Sequence, residues 1–472
     1  MDVFLKGHSF LYEAQTTAQI FFPNEPFNQL NQISSNCITC VLESNEIISE
    51  FIEGGRAVSS YKIINDGDTG HNIKLCLYGL LSKLTGVSSP WGVLTGVRPA
   101  KLAGQLLNSG YSEEGAISLL QSKYLVGPEK ARLCVNVYKQ GSQIVNNNDG
   151  NSYSLYIGIP FCPSRCVYCS FTSYPIEKYQ HIIYNYIGAL EKEMATVNNY
   201  FKPKRLENIY IGGGTPTSLS HLGLDSLLSL IEKYFDLSGV KEFTVEAGRP
   251  DTINQKKLEI LKKYNVTRIS INPQTMNDKT LEKIGRAHTV NDFLQSFGLA
   301  RRMGFDNINV DLIIGLPGEN LSDILHTAGE ISKLAPESIT AHTLAIKRAS
   351  KLKEGLFNYG GLNIDEGMIG AIRGCALSLG MVPYYLYRQK NMMGNFENVG
   401  YARPGLECAY NVQIMEEKQH IIALGAGAVS KLVDLETDRV ERVFNVKSIE
   451  DYLSRIDEMA MRKDKMFKEW FS

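Results

Sequence analysis

Tyr156-Ile-Gly-Ile-Pro-Phe-Cys-Pro-Ser-Arg-Cys-Val-Tyr-Cys-Ser-Phe171 places three cysteines, Cys162, Cys166 and Cys169, in C-x3-C-x2-C spacing directly after a predicted strand, Ser154–Ile159. Three thiolates so close in one loop can each hold one iron of a cubane cluster. Such clusters normally take four cysteines, so a set of three leaves one iron open to another molecule. The alternatives are a zinc site or three unrelated buried thiols. Zinc takes four protein ligands, or three with water, commonly including histidine, and this stretch holds no histidine.

Working outward, 472 residues suffice for two or three domains. A hydrophobic content of 43% and a charged content of 21% are ordinary for a globular protein. The net charge of −1 carries no basic footprint of the kind nucleic-acid binding requires. No run of 18 apolar residues marks a membrane span, and Met1-Asp-Val-Phe-Leu-Lys-Gly-His8 is unlike a secretory signal. Nine cysteines, three of them clustered, fit a reducing cytoplasm better than a disulfide framework. Cys37-Ile-Thr-Cys40 reads as part of a strand, where residues three apart face opposite ways, so these two thiols are expected to be structural.

Residues 1–150 read as an N-terminal α+β module. Ala18–Phe22 and Cys37–Leu42 look like strands, and Ile73–Leu84, Ala100–Asn108, Glu113–Lys123 and Pro128–Ile144 like helices. Asn146-Asn-Asn-Asp-Gly-Asn-Ser152 is polar and rich in turn formers, and serves as the linker. Over 151–350 strands alternate with helices. The strands are Ser154–Ile159, Asn208–Ile211, Glu242–Glu246, Arg268–Ile271, Asn309–Ile314 and Ser338–His342; helices between them include Gln180–Val197, Leu224–Tyr234, Gln255–Tyr264 and Asn291–Met303. This order predicts an α/β fold with a parallel sheet, and six units fall short of the eight that close a full barrel. From 351 to 472 the alternation fades into a C-terminal accessory α+β region. In parallel barrels chemistry gathers at the C-terminal strand ends. Gly212-Gly-Gly-Thr-Pro216 stands at one such end, where it can form a tight turn or let a ligand approach the backbone. Glu246 ends the third strand and Asp311 lies in the fifth.

The cysteine spacing, with Tyr168 before the last cysteine, resembles that of the radical S-adenosylmethionine enzymes. More of the chain, 153 to about 435, resembles the oxygen-independent coproporphyrinogen III dehydrogenase family. The matching motifs are Ile159-Pro-Phe-Cys162, Gly212-Gly-Gly-Thr-Pro-Thr217, Glu246, Asn272-Pro-Gln274, Ile284-Gly-Arg286, Val310-Asp-Leu-Ile-Ile-Gly-Leu-Pro317 and Leu424-Gly-Ala-Gly427. The N-terminal module and Trp91–Lys101 look like the HemZ branch of that family. The resemblance implies a partial (β/α)6 barrel carrying a 4Fe–4S cluster on Cys162, Cys166 and Cys169, with S-adenosylmethionine on the open iron. It further implies that Tyr156 contacts S-adenosylmethionine and that the backbones of Tyr168 and Ala341 hold its adenine. Gly213 and Gly214, followed by Thr215, would meet the methionyl amine and Glu246 the ribose. Gln274 and Arg286 would bind the methionine carboxylate, with Asp311 in the same cleft and Gln413 at a second S-adenosylmethionine.

The implied activity is oxidative decarboxylation of coproporphyrinogen III propionates to vinyls, giving protoporphyrinogen IX, with a flavodoxin or ferredoxin as electron donor. Two features depart from the pattern. The best-characterised members carry a further cysteine where Phe171 stands, and Cys169-Ser-Phe171 instead resembles the haem-chaperone relatives. Those relatives carry His-Asn-x-x-Tyr-Trp in the tail, where this chain has Tyr410-Asn-Val-Gln-Ile-Met415. A haem chaperone without catalysis, or a radical enzyme acting on another tetrapyrrole, are the rival readings.

Overall fold

The computed structural model describes the chain except residues 24, 97, 147, 170–172, 346–363 and 390–391. Phe171 and the expected boundary at 350 lie outside the described residues. The chain divides into two compact units. One comprises Met1–Asn136 with Arg388–Glu397, the other Val137–Tyr387 with Asn398–Ser472. The division falls inside the helix Pro128–Val145 rather than at the polar stretch 146–152.

The first unit is built on strands β1 (Asp2–Lys6), β2 (Asn28–Leu30), β3 (Cys37–Glu43), β4 (Glu46–Glu53) and β5 (Arg56–Ile64), in the order β2-β1-β3-β4-β5. Ala18–Phe22, expected as a strand, instead continues the helix Leu11–Phe21. A short apolar run does not itself distinguish strand from helix. Here Ala14 and Ala18, four residues apart, are both buried, and their small side chains let this helix lie against Thr69–Thr85. Cys37 and Cys40 are buried and unbridged on β3. Burial pushes the Cys40 thiol up to about 12, which leaves it inert.

The second unit carries β6 (Ser152–Ile159), the short pair β7 (Phe161–Cys162) and β8 (Tyr174–Pro175), then β9 (Arg205–Gly213), β10 (Glu242–Glu246), β11 (Arg268–Ser270), β12 (Ile308–Ile314) and β13 (Ser338–Thr343). The tail adds β14 (Val382–Tyr387), β15 (Asn398–Ala402), β16 (His420–Leu424), β17 (Val429–Val433) and β18 (Val440–Phe444). All but β7 and β8 form one sheet in the order β14-β15-β13-β12-β11-β10-β9-β6-β16-β17-β18. The six expected strands lie side by side and parallel, from β6 to β13. β6 and β13 are not paired with each other, so the barrel is open. Polar caps start the crossover helices: Ser220, Asn254, Thr289 and Asn320 each accept a backbone N–H of the following turn, worth about 1 kcal/mol apiece.

The tail is not a separate body. β16 pairs parallel with β6 as a seventh parallel strand, and β15 pairs antiparallel with β13. The helix Ala409–Glu416 lies at the N-terminal ends of the strands. Cys408 Sγ and Ala409 N–H both donate to the carboxylate of Glu242, the first residue of β10 (3.1 and 2.7 Å). Among the described residues no helix is long and apolar enough to cross a membrane.

Candidate active site

The cysteine loop leaves β6 and is fastened to the glycine run that ends β9. Gly214 N–H donates to Ile159 O at 2.8 Å and Thr215 N–H to Phe161 O at 2.7 Å. Position 214 has no space for a side chain: a Cβ there would stand 2.6 Å from Phe161 O, 2.9 Å from Ile159 O and 3.1 Å from Cys162 Sγ. Gly213 has φ +109°, a backbone state for which glycine is suited. Thr215 Oγ1 lies 3.4 Å from Cys162 Sγ. Burial pushes the Cys162 thiol up to about 11; the Thr215 bond opposes this, and the nearby Cys169 and Cys166 add to it. The three thiols thus sense one another. Bound iron would reverse that balance, since a metal holds its thiol ligands deprotonated.

Among the described residues no three His, Cys, Asp or Glu side chains gather tightly enough for a single metal ion. A zinc ion would draw its sulfurs in to about 2.3 Å each, whereas a cubane gives each thiolate its own iron. The donor set, three cysteines on one loop, fits the cluster.

Arg249, which the sequence reading missed, is buried with Nη1 3.8 Å from Cys166 Sγ and 3.2 Å from Ser164 Oγ. Asp251 holds its other edge through two 3.0 Å bonds. Its position just past the end of β10 was the available signal. Arg286 is buried too. Its Nη1 donates to Gly248 O (2.9 Å) and Asn272 O (3.3 Å), and its Nη2 to Tyr168 Oη (3.1 Å). Its Nε–H is buried without a partner. His288, also missed, is pushed down to about 4 by burial, with Arg286 and Arg249 adding to the shift.

Gln274 follows β11 with φ +70°, unusual for a residue other than glycine. Its N–H donates to Asp311 O (3.0 Å) and its C=O accepts from Ile313 N (2.9 Å), which ties it to β12. Its side-chain Oε1 is buried and unpartnered. A strained backbone costing about 1–3 kcal/mol and an orphaned amide at one residue mark a ligand position. Together with the unpartnered Nε–H of Arg286, whose Nη2 reaches Tyr168 of the thiol loop, they fit a ligand bearing amino and carboxylate groups.

Glu246, the last residue of β10, accepts from Tyr210 Oη at 2.6 Å. Burial pushes its carboxyl up to about 7, against the Tyr210 bond, with Asp311 adding to the rise. Tyr156, Tyr210 and Tyr410 stack together, with ring centroids 4.6–6.2 Å apart. Asp311 accepts from Asn272 Nδ2 and Asn309 Nδ2, both at 2.8 Å. Burial opposes its charge, but hydrogen bonding and charge from His342, together with Asn309, hold its carboxyl below the ordinary range. Ala341 lies on β13 between Leu312 of β12 and Val399 of β15. Gln413 does not join this group. It is buried, and its amide pairs reciprocally with that of Asn148 at 2.9 Å, before the start of β6.

The chain matches the Radical SAM superfamily over residues 156–331, the stretch that carries the cysteine loop. It is 41% identical to the Bacillus subtilis oxygen-independent coproporphyrinogen-III oxidase-like protein HemZ, over 85% of this chain and 81% of that protein. The chain belongs to this radical S-adenosylmethionine family, whose cofactors are a 4Fe–4S cluster and S-adenosylmethionine. The Bacillus subtilis heme chaperone HemW is 33% identical over 65% of this chain and 76% of its own. The Escherichia coli coproporphyrinogen III oxidase HemN shares the fold, with a TM-score of 0.55 at 22% identity over 67% of this chain and 72% of that one.

Proposed function

We propose that this chain decarboxylates coproporphyrinogen III by radical chemistry, converting two propionate side chains to vinyls and giving protoporphyrinogen IX. The observation that carries a radical S-adenosylmethionine reaction is the pair of buried, unpartnered groups, Gln274 Oε1 and the Nε–H of Arg286, an arginine that is bonded to Tyr168 of the thiol loop. Buried polar groups are rarely left unpaired, and a bound amino acid moiety would complete both. The substrate reading is supported by the likeness to HemZ and by Tyr410-Asn-Val-Gln-Ile-Met415 in place of the chaperone motif.

Cys162, Cys166 and Cys169 would hold three irons. Arg286 through Nε–H and Gln274 through its amide N–H would take the methionyl carboxylate, Gln274 Oε1 would accept from the amine beside Gly213, Gly214 and Thr215, and Glu246 would take the ribose, while Tyr156, Asp311 and the backbones of Tyr168 and Ala341 would line the remaining cofactor surface. When bound, the reduced cluster and S-adenosylmethionine would supply the radical chemistry that removes a hydrogen atom from the propionate β-carbon, with loss of carbon dioxide and of one electron to an acceptor leaving the vinyl. The residues around the cofactors orient the reactants and exclude water.

The test is anaerobic reconstitution with iron and sulfide, then turnover of coproporphyrinogen III with S-adenosylmethionine and reduced flavodoxin. One 5′-deoxyadenosine per vinyl formed is expected. Cofactor cleavage without vinyl formation would refute this substrate. Stable haem binding without turnover would favour instead the haem-delivery role named for the HemW relatives.

A further inference from the structure

Arg249, just past the end of β10, belongs to none of the motifs above, yet part of its guanidinium faces the cysteine loop. Its Nη1 donates to Cys166 Sγ at 3.8 Å, and to Ser164 Oγ and Ser164 O at 3.2 and 3.4 Å. Its Nε and Nη2 are taken by the two carboxylate oxygens of Asp251, at 3.0 Å each. Only 3% of the side chain is exposed. A buried guanidinium so committed is not placed to receive a substrate carboxylate, so its charge acts on what it already touches.

The arginine and the loop are held separately. Arg249 O accepts from Thr252 Oγ1 (2.7 Å) and Thr252 N (3.0 Å), and Thr252 Oγ1 lies 2.7 Å from Thr217 Oγ1, just after the glycine run. The cysteine loop has its own fastenings besides those at Gly214 and Thr215. Val167 N donates to Ile284 O at 3.1 Å, and Ser164 Oγ to Gly285 O at 3.4 Å.

Hydrogen bonds to ligand sulfurs and local net charge are among the terms that set the potential of an iron–sulfur cluster. Reduction adds negative charge, so a buried N–H and a cation at a ligand sulfur favour the reduced state. The effect is larger away from water, and arginine stays charged throughout. Asp251 stands on the far side of the guanidinium, so the pair turns its positive end to Cys166. That charge is felt at Cys162 too, where it works against the raised thiol.

We infer that Arg249 tunes the 4Fe–4S cluster through Cys166, raising its reduction potential, with Asp251 moderating the rise. The inference rests on Cys162, Cys166 and Cys169 holding that cluster. Full-length protein is reconstituted anaerobically as wild type, Arg249→Gln and Asp251→Asn, and iron and sulfide are counted. The midpoint potential is then read by electron paramagnetic resonance in a redox titration without S-adenosylmethionine. Arg249→Gln removes the charge and should lower the reduced-to-oxidised ratio at a fixed potential about tenfold, a shift of about 59 mV for one electron. Asp251→Asn leaves the charge unopposed and should move the ratio the other way. A merely loosened loop moves both variants in one direction, so shifts of the same sign, or two wild-type potentials, would overturn the inference. If only one variant takes up iron, its titration decides: the expected sign sustains the inference and any other result refutes it. Loss of iron in both variants refutes it too, by making the pair a clamp for the loop. A wild type that takes up no iron would sink the placing of the cluster on these cysteines, and the tuning with it.

Discussion

Gly214→Ala tests whether the contact between the β6 loop and the β9 end is what holds the cysteine loop. The added methyl would meet the carbonyl oxygens of Phe161 and Ile159 at 2.6 and 2.9 Å. These are backbone atoms, so no side-chain rotation relieves the clash. They are also the acceptors for Thr215 N–H and Gly214 N–H. The methyl can fit only if the loop lifts away and those bonds break. Overpacking of this kind costs about 1–3 kcal/mol, and each lost hydrogen bond about 0.5–1.5 kcal/mol. The sum is about 2–6 kcal/mol. Because Cys162 Sγ is the third atom in the clash, iron uptake should fall with stability. Gly188→Ala is the control. Gly188 lies on the exposed face of the helix Ile183–Phe201 with nothing within 4 Å of an added Cβ, so alanine should stabilise it by about 0.5–1 kcal/mol. Urea unfolding with iron and sulfide analysis reads both effects. A Gly214→Ala protein with wild-type midpoint and full iron would show that the loop is held by something else.

Cys162→Ser, Cys166→Ser and Cys169→Ser should each abolish the cluster, while Cys37→Ser and Cys408→Ser should retain it; full iron in Cys166→Ser would refute the assignment. Arg286→Ala should weaken S-adenosylmethionine binding by about ten- to a hundredfold, the worth of about 1.5–3 kcal/mol for a charge-assisted bond, while iron content stays that of wild type. Glu246, with its carboxyl raised to about 7, should make S-adenosylmethionine affinity rise with pH. The ionised carboxylate is the better acceptor for ribose hydroxyls, so affinity should be lost as pH falls below about 7, and Glu246→Gln should flatten the profile measured by calorimetry. Lys463→Ala should cost about 3–5 kcal/mol by stranding a buried charge, because Lys463 and Glu193 are both fully buried and paired; a melt unchanged from wild type would contradict this.

The parallel core was legible because short strand-like runs alternate regularly with helices that carry capping residues, signals contained within each segment. Glu242–Glu246 and Asn309–Ile314 could be placed almost to the residue. Ala18–Phe22 was not, since its helical character comes from packing against a helix some fifty residues later in the chain. At the site, the cysteines, glycines and Arg286 stood out by spacing and motif. Arg249 and His342 did not, because what distinguishes them is distance: one lies beside a thiol from β6's loop, the other between Asp311 and a tyrosine of β14.

The tail was the least legible part, and it also extends the core sheet at both edges. Strand β16 takes its place beside β6 through buried polar contacts that no periodicity reports. Glu193 Oε2 accepts from Gly425 N (2.8 Å), while Asn445 Nδ2 donates to Glu193 Oε1 and Gly425 O (both 2.8 Å). Tyr186 Oη donates to Gly158 O (2.7 Å) and accepts from Ala426 N (2.9 Å). These contacts fix the Leu424–Gly427 turn against the end of β6, on the side where the thiols sit. At the other end the helix Ala409–Glu416 sends Tyr410 toward Tyr156 and Tyr210 as a floor, while Gln413 is taken by Asn148. For Gln413 to hold a second S-adenosylmethionine, that amide pair would have to break. Each lost bond would cost about 0.5–1.5 kcal/mol, with more for any group left unpaired. Asn148→Ala would release Gln413, so if it serves a second cofactor this change should strengthen that binding; calorimetry showing the wild-type stoichiometry and affinity would leave Gln413 a structural residue of the floor.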